Sequence, residues 1–385
     1  MRVQNLARSV SLAGVIAAMG VAPVLLSTQA NAEDEIEVGV VLPITSVLAP
    51  YGKPFVDALE MAVADANAAG GIDGRKIELV VEDSQASNTV AINAINKVMR
   101  GDPVAVFGPA LGTQILAIMP TTEQAKVPLI AGPSTRKVTQ QGADYFFRNS
   151  THDAIAKENW TRYLVEDLGK KKIGILHVAN EWGYSGRDNT AGFLKELYGL
   201  EPVSIASYQP TDKDLTAPIL QMVNAGADAI VSQGHPVDEA LLVKQMKQLG
   251  VDVPHIASGS LCVSVLRGLV SAEEVAGHYC EGPDVIPSLS EKPAVQAWVK
   301  AYKEKTGFEP DIYATHYYDA MNMLIQVMRQ QGADREKIRD GLRDASYEGV
   351  IGTYKADEEG NLWHNAAIMK FLPDGKIEVV RRYSN

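Results

Sequence analysis

The sequence predicts an α/β protein of two similar lobes, each a parallel sheet covered by helices on both faces. Three observations carry this. From Ile36 onward, short apolar runs alternate with longer amphipathic stretches, the pattern of strands joined by crossover helices. The alternation runs for roughly 120 residues and resumes at "KIGILHVAN" for a similar length, an ordinary size for one folding unit. No low-complexity tract, short-period repeat or long linker separates the two runs. The lobes are therefore expected to be joined by short crossings that form a hinge.

In chain order, a processing signal precedes the fold. Arg2 and Arg8 form a positive n-region, an apolar stretch follows from Val10 to Leu26, and Ala30-x-Ala32 offers a small-residue cleavage site. This predicts a secretory signal peptide over 1–32, cut after Ala32. An uncleaved anchor is the alternative, and Gly14, Gly20 and Pro23 inside the apolar stretch favour cleavage.

"IEVGVVLP" then reads as a buried strand. "KPFVDALEMAVADANAAGG" reads as a helix, with Pro54 in its first turn, Gly70-Gly71 ending it, and Phe55, Leu59, Ala62, Val63 and Ala66 on one face. "KIELVVEDS", "VAVFGP" and "VPLIAGPS" read as further strands, with "TVAINAINKVMR" a helix between the first two. In the second run "KIGILHVAN", "PVSIASY", "ADAIVS" and "VPHIASGS" read as strands, with helices near 186–198 and over "DEALLVKQMKQLG". The stretch from "PAVQAWVKAYKEKTG" through "YATHYYDAMNMLIQVMRQQG" is strongly helical.

Removing 32 of 385 residues leaves 353, and because the removed segment carries two positive charges and no negative one, the net charge moves from −11 to −13. An acidic surface argues against nucleic acid and anionic membrane as partners. The chain has two cysteines, Cys262 and Cys280. In an exported protein they are a candidate disulfide, with two separate buried thiols as the alternative.

Ligands of open α/β sheets bind beyond the carboxyl ends of the strands. The loops there, "LPITSVLAPYG", "FGPALGTQ", "AGPSTRK", "ANEWGYSG", "SQGHPVD" and "ASGSLC", are rich in glycine and small hydroxyl residues, with a few aromatics. Within "AVFGPALGTQILAI" a helix is expected to start at Gly112-Thr113, where unpaired N–H groups and the helix dipole invite an anion. Catalytic and metal motifs are missing. "GYSG" at 183–186 lacks the spacing of a Gly-x-Ser-x-Gly elbow. The seven histidines stand singly, without the paired spacing of zinc sites. "GGIDG" precedes a strand, so it is no dinucleotide fingerprint. No enzyme and no cofactor is expected.

"VGVVLPITSVLAPYGKPFVDALEMAVADANAAGGIDGRKIELVVEDS" resembles the N-terminal signature of periplasmic leucine/isoleucine/valine-binding proteins, the solute receptors of branched-chain amino-acid-type ABC transporters. The resemblance continues through "VFGPALGTQ", "AGPSTRKVTQQGADYFFRNSTHD", "ANEWGYSG" and "DIYATHYYDA". It implies a type I periplasmic binding fold with a three-strand hinge, lobe one holding 34–152 plus 286–352 and lobe two 153–285 plus 353–385. It also implies a periplasmic, monomeric receptor whose partners are a small solute and transporter permease subunits. A sensing subunit for a signalling receptor is the alternative role.

The same resemblance implies ligand contacts. Tyr51 falls on the first-loop aromatic; Gly112, with Thr113 beside it, falls on the carboxylate-binding position. Pro133 supplies a carbonyl for an ammonium and Thr135 grips both charged ends, with Ser134 between them. Asp153 matches an acid after the first crossing and Trp182 a lobe-two aromatic; His235 and Ser260 are placed by position. The family's lobe-two glutamate has no counterpart in "ASGSLCVS", which puts a free α-amino group in the ligand in question. A small monocarboxylate is therefore expected, with an aliphatic amino acid leading and aromatic or other organic acids or amides as alternatives.

Overall fold

The run "IEVGVVL" forms β1 (Ile36–Leu42), buried along its length except at Glu37. Its side chains alternate between two cores, as the two-residue strand period requires. Val38, Val40 and Leu42 meet Phe55 and Leu59 of α1 (Ala49–Ala68), whereas Val41 meets Ile95 of the helix on the opposite face. The chain continues through β2 (Ile77–Asp83), α2 (Asn88–Val98), β3 (Ala105–Phe107), α3 (Gly112–Gln124), β4 (Leu129–Ala131) and β5 (Phe146–Arg148). These strands make a wholly parallel sheet in the order β2-β1-β3-β4-β5. The computed structural model describes residues 35–46, 48–282, 286–363 and 365–383; the expected signal peptide over 1–32 lies outside them.

The first helix starts earlier than its sequence suggests. Pro54 sits inside α1, not in its first turn. The amides of Tyr51 and Gly52 bond back to the Leu48 carbonyl, at 2.9 and 3.1 Å, and add a turn ahead of the proline. Gly52 permits this turn, because a Cβ there would lie 2.1 Å from the Pro43 carbonyl oxygen. The extra turn carries Tyr51.

After β5 the chain enters a second unit: α4 (Asp153–Arg162), β6 (Ile173–Val178), α5 (Glu181–Tyr198), β7 (Ser204–Tyr208), α6 (Thr216–Asn224), β8 (Ala229–Gln233), α7 (Pro236–Gln248), β9 (His255–Ala257), α8 (Ala272–Val275) and β10 (Tyr279–Gly282). It then returns to the first unit with α9 (Pro293–Thr306), α10 (Ile312–Gln331), α11 (Arg335–Asp344), β11 (Ser346–Glu348) and β12 (Thr353–Lys355), before β13 (Ala366–Phe371) and β14 (Ile377–Tyr383). The second sheet has the order β14-β13-β10-β9-β8-β6-β7. Its β6 to β10 strands are parallel, but β13 and β14 are antiparallel additions that the apolar-run pattern did not predict.

Two expected boundaries move. The helix foreseen near 186–198 begins at Glu181, because the Asn180 side chain caps it by accepting from the Gly183 amide. The last crossing, expected at 352–353, lies beyond Trp363. β12 pairs with β11, Leu362 donates to the Arg148 carbonyl beside β5, and Tyr354, Leu362 and Trp363 are buried in the first unit's core. Cys262 and Cys280 form a disulfide, with Cα atoms 6.0 Å apart, so the thiol alternative falls away. Among the described residues no helix is long and apolar enough to cross a membrane, and no group of His, Cys, Asp and Glu is placed to hold a metal ion.

Candidate ligand-binding cleft

The carboxyl ends of β1, β3, β4 and β5 face those of β6, β8, β9 and β10 across a cavity of about 120 Å³, room for a small solute. Eight of the ten residues expected at a site line it: Tyr51, Gly112, Pro133, Ser134 and Thr135 from the first unit, and Trp182, His235 and Ser260 from the second. Thr113 and Asp153 do not. Thr113 follows Gly112 in the first turn of α3 without lining the cavity, and Asp153 is fully buried and does not line it.

The strand-end part of the first wall is made of backbone and small groups, and α1 and α10 add the rings of Tyr51, Phe55 and Tyr313. α3 begins at Gly112 with no side-chain cap from Leu111. Gly112 is required there, since a Cβ would lie 2.4 Å from the Thr135 methyl group. Arg148, fully buried at the end of β5, donates to the carbonyls of Pro133 and of Thr135 (2.9 Å), and its Nε donates to Asn361 Oδ1 at 2.8 Å. Burial brings its guanidinium down to about 10, so it stays cationic at neutral pH. Beside it the buried Ser150 Oγ and Asn149 Oδ1 have no hydrogen-bond partner among the described residues.

The second wall presents large side chains. Trp182, in the first turn of α5, stacks on His235 with ring centroids 4.9 Å apart. Burial holds His235 down at about 4, and His316, on α10 across the cavity, at about 3; both rings are neutral at pH 7. At the floor Lys157 Nζ meets Glu281 Oε1 and Oε2 at 2.7 and 2.8 Å, stands 3.5 Å from Asp153 Oδ1, and lies over the Trp160 ring. Asp153 Oδ2 also accepts from Ser185 Oγ at 2.7 Å. Burial pushes the Glu281 carboxyl up, against the pull of Lys157.

Side-chain hydrogen bonds cross the cleft between the two units. Tyr51 Oη meets Ser260 Oγ at 2.7 Å, Trp182 Nε1 donates to Ser134 Oγ, and Thr135 Oγ1 donates to Glu181 Oε1 at 2.8 Å. Burial raises the Tyr51 phenol well above its ordinary value, so it remains a neutral donor.

Sequence reasoning missed Glu281, Lys157, Ser150, Tyr313 and His316. Glu281 and Ser150 obey the same carboxyl-end rule, but β5 ends in Arg148 and β10 carries Glu281 itself, so neither reads as an apolar run. Tyr313 and His316 enter from α10, which no loop pattern marks; Asp311 fixes its start by accepting from the amides of Tyr313 and Ala314, at 3.0 and 2.9 Å.

Two α/β units with a ligand-sized cleft at the carboxyl ends of both sheets define a type I solute-binding fold. The periplasmic binding protein family profile matches residues 35–376, and the chain belongs to that family. It is 27% identical over 362 residues to "Leu/Ile/Val-binding protein homolog 1" of Brucella abortus, covering 93% of each chain. It superposes on the branched-chain amino acid transporter substrate-binding protein LivJ of Streptococcus pneumoniae, in complex with isoleucine, at a TM-score of 0.81 and 26% identity, covering 90% of this chain and 100% of that one. At 21% identity and a TM-score of 0.80 it shares its fold with a solute-binding protein from Rhodopseudomonas palustris BisB5 in complex with 3,4-dihydroxybenzoic acid, covering 91% and 98%.

Proposed function

We propose that this chain is the periplasmic solute-binding component of an ABC uptake transporter, closing two lobes over a small carboxylate-bearing solute with an apolar body. Lobe one comprises 35–152 and 286–363, lobe two 153–282 and 365–383, and the three crossings between them form the hinge. One observation carries the reading: the cavity is bounded by both lobes and spanned by bonds between them, Tyr51 to Ser260, Trp182 to Ser134 and Thr135 to Glu181. A solute touching both walls gains contacts only when they close, so it shifts the population toward the closed form.

The carboxylate end is assigned to the amides of Gly112 and Thr113 at the start of α3 and to the Thr135 hydroxyl, donors that need no cationic side chain. The Thr135 hydroxyl suits a carboxylate, since it already donates to Glu181 near Gly112, and Glu181 gives up that hydroxyl when the ligand's carboxylate takes the place. The apolar body packs between Tyr51, Phe55, Trp182 and Tyr313. The function proposed is binding and not catalysis, in keeping with the solute-binding family to which the chain belongs. The likeness to Leu/Ile/Val-binding relatives makes transporter permease subunits the expected partners of a monomeric receptor.

Small-angle scattering on the exported protein, with and without a saturating carboxylate from a thermal-shift panel, tests the reading. The radius of gyration should fall on binding, and the intact mass should start at Glu33. An unchanged radius under saturation defeats hinge closure.

A further inference from the structure

Resting on the carboxylate reading above, we propose that the cleft lacks an ammonium subsite and that its ligand is an amine-free monocarboxylate with a branched or ring-shaped apolar body. The argument is an inventory of what could receive an ammonium. The Pro133 and Thr135 carbonyls are engaged by the buried Arg148 guanidinium. Each carbonyl keeps a second lone pair, but an ammonium placed there would stand beside a fixed cation in a desolvated site, where like charges repel most. Asp153 is buried off the cavity and shared among Ser185, Gln233 and Lys157.

Among the described residues Glu281 is the one acid lining the cavity, and each of its oxygens accepts from Lys157. The chain thus carries its own ammonium at the place where a ligand's amine would find its acid. Ser260, which lines the cavity near the centre of the second wall, brings a hydroxyl that is itself bonded to Tyr51. Glu181 stands at the opposite end, accepting from Thr135 beside Gly112 on the donors assigned to the ligand's carboxylate. It competes for that place instead of serving the amine end. What remains for the ligand among the described lining residues is apolar or neutral: Tyr51, Phe55, Trp182, Tyr313, the uncharged rings of His235 and His316, and the neutral acceptors Asn149 Oδ1 and Ser150 Oγ, which offer an ammonium no anion. A desolvated ammonium without an anionic partner is costly.

The test is titration calorimetry on the exported chain, dialysed free of solute, with two matched sets: leucine, 4-methylpentanoate and 4-methylpentanamide; phenylalanine, 3-phenylpropanoate and 3-phenylpropanamide. In at least one set the acid should bind ten-fold or more tightly than the amino acid. Ser260→Glu, which offers a free acid opposite Tyr51, should narrow that ratio at least ten-fold; the wild-type ratio stands as the test if this variant does not fold. Tighter binding of the amino acid in both sets overturns the inference while leaving solute binding intact. So does a Glu181→Gln variant that weakens leucine and spares 4-methylpentanoate, because Glu181 would then be the amine's partner. Amides that bind as well as acids overturn the carboxylate reading beneath it, and no binding by any of the six overturns both.

Discussion

The two walls of the cleft are built by different means. The first presents backbone amides, a glycine and hydroxyls on the ends of short strands, held in place by one buried cation, Arg148, and beside them the rings of Tyr51, Phe55 and Tyr313 from α1 and α10. The second presents rings on helix starts and stands on a buried cluster of Asp153, Lys157 and Glu281. In the proposed binding mode the first wall meets charge with dipoles that are rigid because the sheet is rigid, and its rings share the apolar body with Trp182. The second wall stands on charges whose mutual attraction must offset their desolvation. Damage should therefore appear as lost binding on the first wall and lost stability under the second.

The largest expected effect tests the second wall. Lys157→Met leaves Asp153 and Glu281 buried without their cation, and breaking a buried pair from one side costs about 3–5 kcal/mol. The urea midpoint should drop accordingly, and adding Glu281→Gln should recover part of the loss. A single variant as stable as wild type would mean that the cluster is not a support. Next is Gly112→Ala on the first wall. Its Cβ would meet the Thr135 methyl at 2.4 Å; such overpacking costs about 1–3 kcal/mol and displaces the hydroxyl assigned to the carboxylate. Affinity for the best-binding acid should fall by more than ten-fold while the melting temperature without ligand moves by a few degrees. Equal losses from Gly112→Ala and from an exposed control would erase the distinction between the walls.

The smallest effect concerns what joins them. Tyr51→Phe removes the 2.7 Å bond to Ser260 and keeps the ring, and a net hydrogen bond of this kind contributes about 0.5–1.5 kcal/mol. Dissociation of bound solute should quicken several-fold, with the association rate and the urea midpoint little changed. A change in association alone would place the bond outside the closed form.

The alternation of buried runs and amphipathic helices follows from the residues themselves: each strand of a sheet covered on both faces must be apolar throughout, and each covering helix must carry a stripe. That is why β1, α1 and the strands leading to Gly112 and Ser134, β3 and β4, were readable, and with them the end of the cleft proposed for the carboxylate. The opposite end was not. Asp153 and Lys157 stand four residues apart on α4, Glu281 lies far along the chain on β10, and all three look like ordinary solvated charges until α4 and β10 meet. The antiparallel β13 and β14, and the return of Tyr354 to Trp363 to the first core, likewise depend on pairing partners far away in the chain. Local periodicity determines which residues can be buried, because it acts within one element. Which buried charges meet, and so which of them are left for a ligand, is decided only when separate elements pack, because the Coulomb term depends on distance in space.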